Sequence, residues 1–200
     1  MTALLWLGGV LGTLVVIALG LRALGASRWA ELIHTHTSQL EQGRVNVQSL
    51  VQGGQPSQAR FDARYHVSEL EGLPAPVQRY FGAVLTDGQP IIAAASIEMA
   101  GTINMSATAE QWKPFTSMQR VVTASAGAHS GFMWDARVAM LPGMKMHVLD
   151  ACIAGKGVLR AAVLGSFSVA DMSGEGEMVR GEFMRFFAET PWYPTAPKTL

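Results

Sequence analysis

The chain has 200 residues, 49% of them hydrophobic and only 15% charged, against a charged share of roughly 25% in ordinary globular proteins. That length suits one domain with a real core plus an extra segment, rather than two full domains. Fifteen basic residues balance fifteen acidic ones, and the five Trp and eight Phe are not interleaved with basic clusters; the field and the stacking platform that nucleic acid needs are both missing, so nucleic acid is excluded as a partner.

The first element is apolar. Ala3 to Leu21 reads ALLWLGGVLGTLVVIALGL, uncharged, with Thr13 its one polar side chain. At 1.5 Å per residue the run extends roughly 28 Å, close to the hydrocarbon thickness of a bilayer. A soluble helix of that length would carry a polar stripe. The reading is a single-pass anchor over residues 1–26 in the cell membrane, with the lipid bilayer as its partner. A cleaved signal peptide is the rival, but only Met1 and Thr2 precede the run, so the basic start is missing, while Ala23-Leu24-Gly25-Ala26 offers a cleavage-like stretch. Arg22 and Arg28 follow the run and no cation precedes it, which tilts the soluble part weakly toward the cytoplasm. Gly8 and Gly12 form a G-x-x-x-G spacing that would suit a helix-mediated homodimer, although glycine is common in membrane helices anyway.

Residues 27–60 are rich in Gln, Ser and Gly and read as a polar linker or stalk, with Trp29 near headgroup depth. His34 and His36 flank Thr35 with no third ligand nearby and read as solvated histidines, so no metal is assigned. Residues 61–200 read as a β-rich domain. It opens with a short helix over Leu73–Leu85, where two prolines suit the first turn and Val77, Tyr80, Phe81, Val84 and Leu85 share one face. Five strand-like runs follow: Ile91–Met105, Phe115–Ala124, Gly131–Met140, Met144–Ile153 and Gly157–Leu164, with breaks at Ala126-Gly127, Pro142-Gly143 and Gly155-Lys156-Gly157. Breaks this short imply antiparallel neighbours. In the third run Phe132, Trp134, Ala136, Val138 and Met140 alternate with Met133, Asp135, Arg137 and Ala139; in the fourth, Met144, Met146, Val148 and Cys152 share a face with Asp150. Glu175 to Glu189 then reads as a helix. Met178, Val179, Glu182, Phe183, Phe186 and Phe187 form its stripe across the sheet, and Glu177, Arg180, Arg185 and Glu189 are expected in solvent. The fold class is α+β: an N-terminal transmembrane helix, then a curved antiparallel sheet with one or two packed helices.

Several of these stretches, in this order, carry a likeness. GLPAPVQRYF (Gly72–Phe81), DGQP (Asp87–Pro90), Trp112-Lys-Pro-Phe115, Gly131-Phe-Met-Trp-Asp-Ala-Arg137, Asp150 with Gly155 and Gly157, Gly181-Glu182, Ala188-Glu189 and Trp192-Tyr-Pro-Thr-Ala196 resemble a bacterial family of uncharacterised membrane-associated proteins, a domain of unknown function. The likeness runs from about Phe61 to Ala196. It implies no activity, cofactor or catalytic residue. Members of that family continue beyond the Trp-Tyr-Pro-Thr-Ala stretch with further strands, whereas here Pro197-Lys-Thr-Leu200 follows, so the domain is expected to be C-terminally truncated, with an exposed sheet edge.

No G-x-S-x-G elbow, H-E-x-x-H helix or phosphate-cradling P-loop occurs. Catalytic residues and cofactors are therefore assigned none. The lone Cys152 excludes an internal disulfide and reads as a small buried hydrophobe. Trp134, Asp135, Arg137 and Asp150 are the candidate ligand-binding residues, with a rim ion pair for Asp135 and Arg137, and an Arg137 or Arg160 partner for Asp150, as the plainer alternative. The expected function is binding of a lipid or other hydrophobic small molecule near the membrane, in a half-barrel similar in outline to those of bacterial lipoprotein carriers. A scaffold role is the first alternative. An enzyme is the second, and it requires Asp135, Asp150 and Arg137 to converge in one cleft.

Overall fold

The computed structural model describes residues 2–52, 64–123 and 131–194, and in the first segment the side chains of residues 6, 9, 10, 12, 13 and 15–42. One long helix, α1 (Thr2–Gln52), leads into a 3₁₀ turn (Val67–Leu70) and a short helix, α2 (Ala75–Val84). Six strands follow: β1 (Ala94–Asn104), β2 (Trp112–Val122), β3 (Gly131–Leu141), β4 (Met144–Ile153), β5 (Lys156–Val163) and β6 (Phe167–Gly174). They form one open antiparallel sheet in sequence order, and α3 (Glu177–Glu189) closes the described chain with a 3₁₀ turn (Thr190–Trp192). The fold is α+β, an antiparallel meander.

The register carries out the expected alternation. Phe132, Trp134, Ala136 and Val138 of β3 stand opposite Cys152, Asp150, Val148 and Met146 of β4. That side is the α3 face. There Phe186 and Tyr193, both fully buried, pack with Val121, Phe132 and Cys152, with Ile92, Ile97, Val179 and Phe183 against them. Farther along the same face Val138, Met146 and Ala161 are joined by Ile103, Phe115, Met140, Val148 and Ala170, a cluster drawn from all six strands and no helix. On the opposite side, the α1 face, Met133, Leu149, Ala151 and Ile153 pack under Trp29 and Leu40, with Leu32 and Ile33 alongside.

That second packing corrects the polar stalk expected over 27–60. Through Gln52 the segment is helical, continuous with the apolar run, and over Trp29–Leu40 it packs on the sheet. Trp29, Leu32, Ile33, His36 and Leu40 recur at helical spacing and supply one buried stripe; residues 53–60 lie outside the described residues. The membrane-spanning helix expected over Ala3–Leu21 needs restating too. Among the described residues no helix is long and apolar enough to cross a membrane. Side chains 3–5, 7, 8, 11 and 14 of that run, Gly8 of the G-x-x-x-G spacing among them, are outside those described.

Three smaller differences have local causes. A sixth strand, β6, follows the five expected, but Ser168, Asp171 and Ser173 dilute its pattern and a register shift opposite Ala161/Ala162 breaks it. The turn between β4 and β5 falls at Ala154-Gly155, both with positive φ, one step before the expected break, and Gly157 lies inside the strand. Finally, α2 buries none of its residues and is tied down by Tyr80 Oη donating to Pro191 O at 3.2 Å, so its apolar face is mostly open. Residues 195–200, where the truncated ending was expected, lie outside the described residues.

Where α1 crosses the sheet the fit is close. A Cβ added to Gly25 would stand 2.2 Å from Leu164 O and 2.4 Å from Ser166 Oγ, and one on Gly165 would stand 2.6 Å from Gly25 O. Gly25→Val should therefore loosen α1 from the β5–β6 turn and lower stability by about 1–3 kcal/mol, the usual cost of overpacking. Gly20→Ala, with open space around its Cβ position, should be neutral or slightly stabilising through helix propensity. Urea denaturation of the full chain in mild detergent compares the two.

Candidate functional site

The sheet separates the four candidate residues into two pairs. Trp134 and Asp150 are register partners on the α3 face. Asp135 and Arg137, one residue on from Trp134 and Ala136, fall on the α1 face. No single cleft holds Asp135, Asp150 and Arg137 together.

On the α3 face Asp150 Oδ2 is paired with Arg185 Nη1, and Arg185 Nε donates to Glu189 Oε1 at 2.9 Å. Arg185 also lies over the rings of Phe132 and Trp134, at 5.1 and 5.2 Å from their centroids. Gln119, fully buried, donates from Nε2 to Glu189 Oε2 at 2.5 Å. Arg185 and Glu189, expected in solvent, instead turn inward, and Arg185 takes the partner role assigned beforehand to Arg137 or Arg160. A guanidinium with two carboxylates satisfies its own donors while its planar faces stack on the aromatics.

Glu182 adds a third carboxyl. Burial first, then the charge and a hydrogen bond of Asp150, push it up to about 7. Asp150 Oδ1, buried beside it, has no hydrogen-bond partner among the described residues, and a neutral Glu182 carries the proton that could be donated to Asp150. The same surroundings, burial first and then Glu182 and Asp150, push the Cys152 thiol up to about 11, so the buried cysteine is no nucleophile at neutral pH. Gln119 Oε1 and Tyr193 Oη, also buried here, have no hydrogen-bond partner among the described residues. The cluster is a polar latch beneath α3, and one of its members can take up or give off a proton near neutral pH.

The α1 face carries a second latch. Trp29 Nε1 donates to Asp135 Oδ1 at 2.9 Å, Asp135 is paired with Arg137, and the Arg137 guanidinium lies 5.7 Å from the Trp29 ring centroid. His147, opposite Arg137 in the register, meets Trp29 edge-on at 5.3 Å. Burial, reinforced by the Arg137 charge and only partly opposed by Asp135, holds its imidazole down at about 4. An open depression of about 580 Å³ adjoins this latch, lined by Asp135, Arg137, Glu98, Thr116 and Met118 among others.

A third feature was not foreseen as a site. The β1–β2, β3–β4 and β5–β6 connections all lie at one end of the sheet, as an antiparallel meander requires. Two of them touch α1 where its apolar run ends: Arg22 Nη1 donates to Gly143 O at 3.2 Å, and Gly25 meets the Leu164–Ser166 turn. At that same end Met105, Trp112, Leu141 and Phe167 are exposed, the last three by 57%, 64% and 56%. Lys113 and Lys145 flank them. Of these three connections only the Pro142-Gly143 break was named from the sequence; its meeting with Arg22 was not foreseen, because the helix was expected to stop short of the sheet.

The model of a family of unknown function, DUF6920, matches residues 71–197. The chain belongs to DUF6920. No curated protein and no solved structure matches it. The DUF6920 match takes in α2, the whole sheet and α3, and so both register partners of the α3 latch and its helix. The α1 contribution, Trp29 included, lies outside the DUF6920 match.

The two latches oppose each other in pH. Glu182, raised from 4.5 to about 7, binds more proton folded than unfolded, so its contribution is complete below its unfolded value and is lost as pH rises toward 7. His147, lowered from 6.5 to about 4, binds less proton folded, so its contribution is complete above its unfolded value and is lost as pH falls toward 4. Between pH 4.5 and 6.5 the two slopes offset one another. Denaturation midpoints of Glu182→Gln should therefore rise with pH across that window, and those of His147→Asn should fall. Parallel curves for both variants would contradict the assignment.

Proposed function

We propose that this protein is a membrane-attached binding module: the apolar part of α1 enters the bilayer, and the sheet domain rests on the bilayer surface, where it takes up a lipid or another hydrophobic ligand. The observation that carries the reading is the exposed apolar surface of α1. Trp6, Val10, Val15, Val16, Ile17, Leu19, Leu21 and Leu24 are all exposed. In water each buried-type side chain left open forgoes about 1.5–3 kcal/mol of burial, and a bilayer removes that cost. Thr13, the polar exception, already donates its hydroxyl to Gly9 O at 2.9 Å within the helix, as hydrocarbon demands.

The three hairpin turns beside Arg22 fit the same placement, since their exposed Trp112, Leu141 and Phe167 would enter the interfacial zone. Arg22 and Arg28 favour a sheet domain on the cytoplasmic side. The helix-free cluster around Val138, drawn from all six strands, supports a sheet curled toward a half-barrel. A scaffold role, with two copies meeting through α1, would cover the same apolar surface; cross-linking in membranes distinguishes it. The convergence that an enzyme built on Asp135, Asp150 and Arg137 needs is not there.

The full chain should remain with the membrane pellet after alkaline carbonate extraction, and Val15→Arg/Ile17→Arg should shift most of it to the supernatant. Mass spectra of the detergent-extracted wild type should show retained lipid. A wild-type chain released quantitatively by carbonate would end this reading.

A further inference from the structure

We propose that the depression of about 420 Å³ at the hairpin end, lined by Arg22, Lys113 and Lys145 with Trp112, Met140 and Leu141 among others, binds the phosphate of an anionic phospholipid headgroup. This rests on the membrane placement above and names the ligand chemistry it would meet. Position is the first ground. Arg22 directly follows the apolar run and is held against the β3–β4 turn through Gly143 O. The depression therefore sits at the depth where α1 leaves the hydrocarbon, which is the depth of lipid phosphates.

Charge is the second ground. The chain is neutral overall, with fifteen charges of each sign, and several of its other cations are matched: Arg137 with Asp135, Arg160 with Asp171, Arg180 with Glu177, Arg185 with Asp150 and Glu189. The lining of this depression holds three cations and no carboxylate. Among the described residues none of the three is engaged in an ion pair. Such a local excess creates a positive potential at this depression, and an anion is what satisfies it.

The apolar half of the lining is the third ground. A free anion needs only donors, whereas a lipid brings glycerol and acyl carbons beside its phosphate. Trp112 and Leu141 are exposed next to the cations, with Pro142 between Leu141 and the turn glycine. Tryptophan at headgroup level and basic side chains reaching phosphate are the combination that holds an amphiphile at an interface. The occupant is thus a lipid of the bilayer that α1 enters, with phosphatidylglycerol as the simplest example of its class.

Native mass spectrometry of the full chain in uncharged detergent, titrated separately with phosphatidylglycerol and phosphatidylcholine, tests this. Phosphatidylglycerol should bind at clearly lower concentration, and Lys113→Gln and Lys145→Gln should each weaken it about fivefold, with Arg22→Gln adding a similar factor. Arg180→Gln, on the exposed side of α3, should change nothing. Inorganic phosphate should not displace the bound lipid. Equal binding of the two lipids, an unaltered preference in the triple variant, or displacement by inorganic phosphate would each overturn the headgroup site. The triple variant should still resist carbonate extraction, so loss of the lipid preference and loss of the membrane attachment are read separately.

Discussion

Period-two alternation along β3 and β4 is the constraint on which the rest of the structure hangs. Because neighbouring side chains point to opposite faces, Trp134 and Asp135 cannot serve the same surface. Asp150, opposite Trp134, reaches α3 through Arg185, while Asp135 reaches α1 through the indole of Trp29. Each helix is thus held by an aspartate from one of two adjacent strands. Apolar packing supplies the area on both faces: Phe186 and Tyr193 on one, Trp29 and Leu40 on the other. The ion pairs set where along the sheet each helix lies. An unpaired carboxylate or guanidinium at either place would be costly to bury, so the helices are confined to the positions that match the charges.

Much of the sheet was readable because its signals are local. Met144–Ile153 appears as a strand with the expected ends, and the facing sets in β3 and β4 follow from alternation alone. What escaped was long-range. A Gln-, Ser- and Gly-rich composition suggests a tether, and it hid the stripe Trp29, Leu32, Ile33, His36 and Leu40 that makes the same residues one face of a helix. On α3, Arg185 and Glu189 look like solvent-facing charges until β4 supplies Asp150 and β2 supplies Gln119 as partners. The strand β6 is an edge with most of its residues exposed, so its sequence is under little pressure to alternate.

The candidate residues were half legible for the same reason. Trp134, Asp135 and Arg137 stand out in any reading as charges and an aromatic within one apolar run, and Asp150 stands out in the next. Their grouping depends on register, which nothing short of the pairing itself reveals. Once the register is known, the four fall into a latch for each helix and away from a shared cleft. Glu182 belongs with them, yet its carboxyl is unusual because it is buried beside Asp150, and α3 comes that close because it rests directly on Gly157, where an added Cβ would stand 2.8 Å from Met178 Cγ and 3.4 Å from Glu182 Cγ. A side chain at that position would lift the helix, and with it the carboxyl, away from Asp150.

The latches also explain why the hairpin end is electrostatically distinct. Arg137, Arg160 and Arg185 are matched by Asp135, Asp171 and Asp150 at or near the sheet, so their fields largely cancel beyond a Debye length of about 8 Å. Arg22, Lys113 and Lys145, none of them in an ion pair among the described residues, stand together at the end where three turns, an indole and the exit of the apolar helix meet. Uncancelled cations next to exposed apolar side chains are poorly served by water alone, which solvates the first and not the second. A bilayer surface serves both, with phosphate for the charges and the glycerol region for Trp112 and Leu141. The pairing of Arg137, Arg160 and Arg185 at the sheet is thus part of what makes this end suited to lipid.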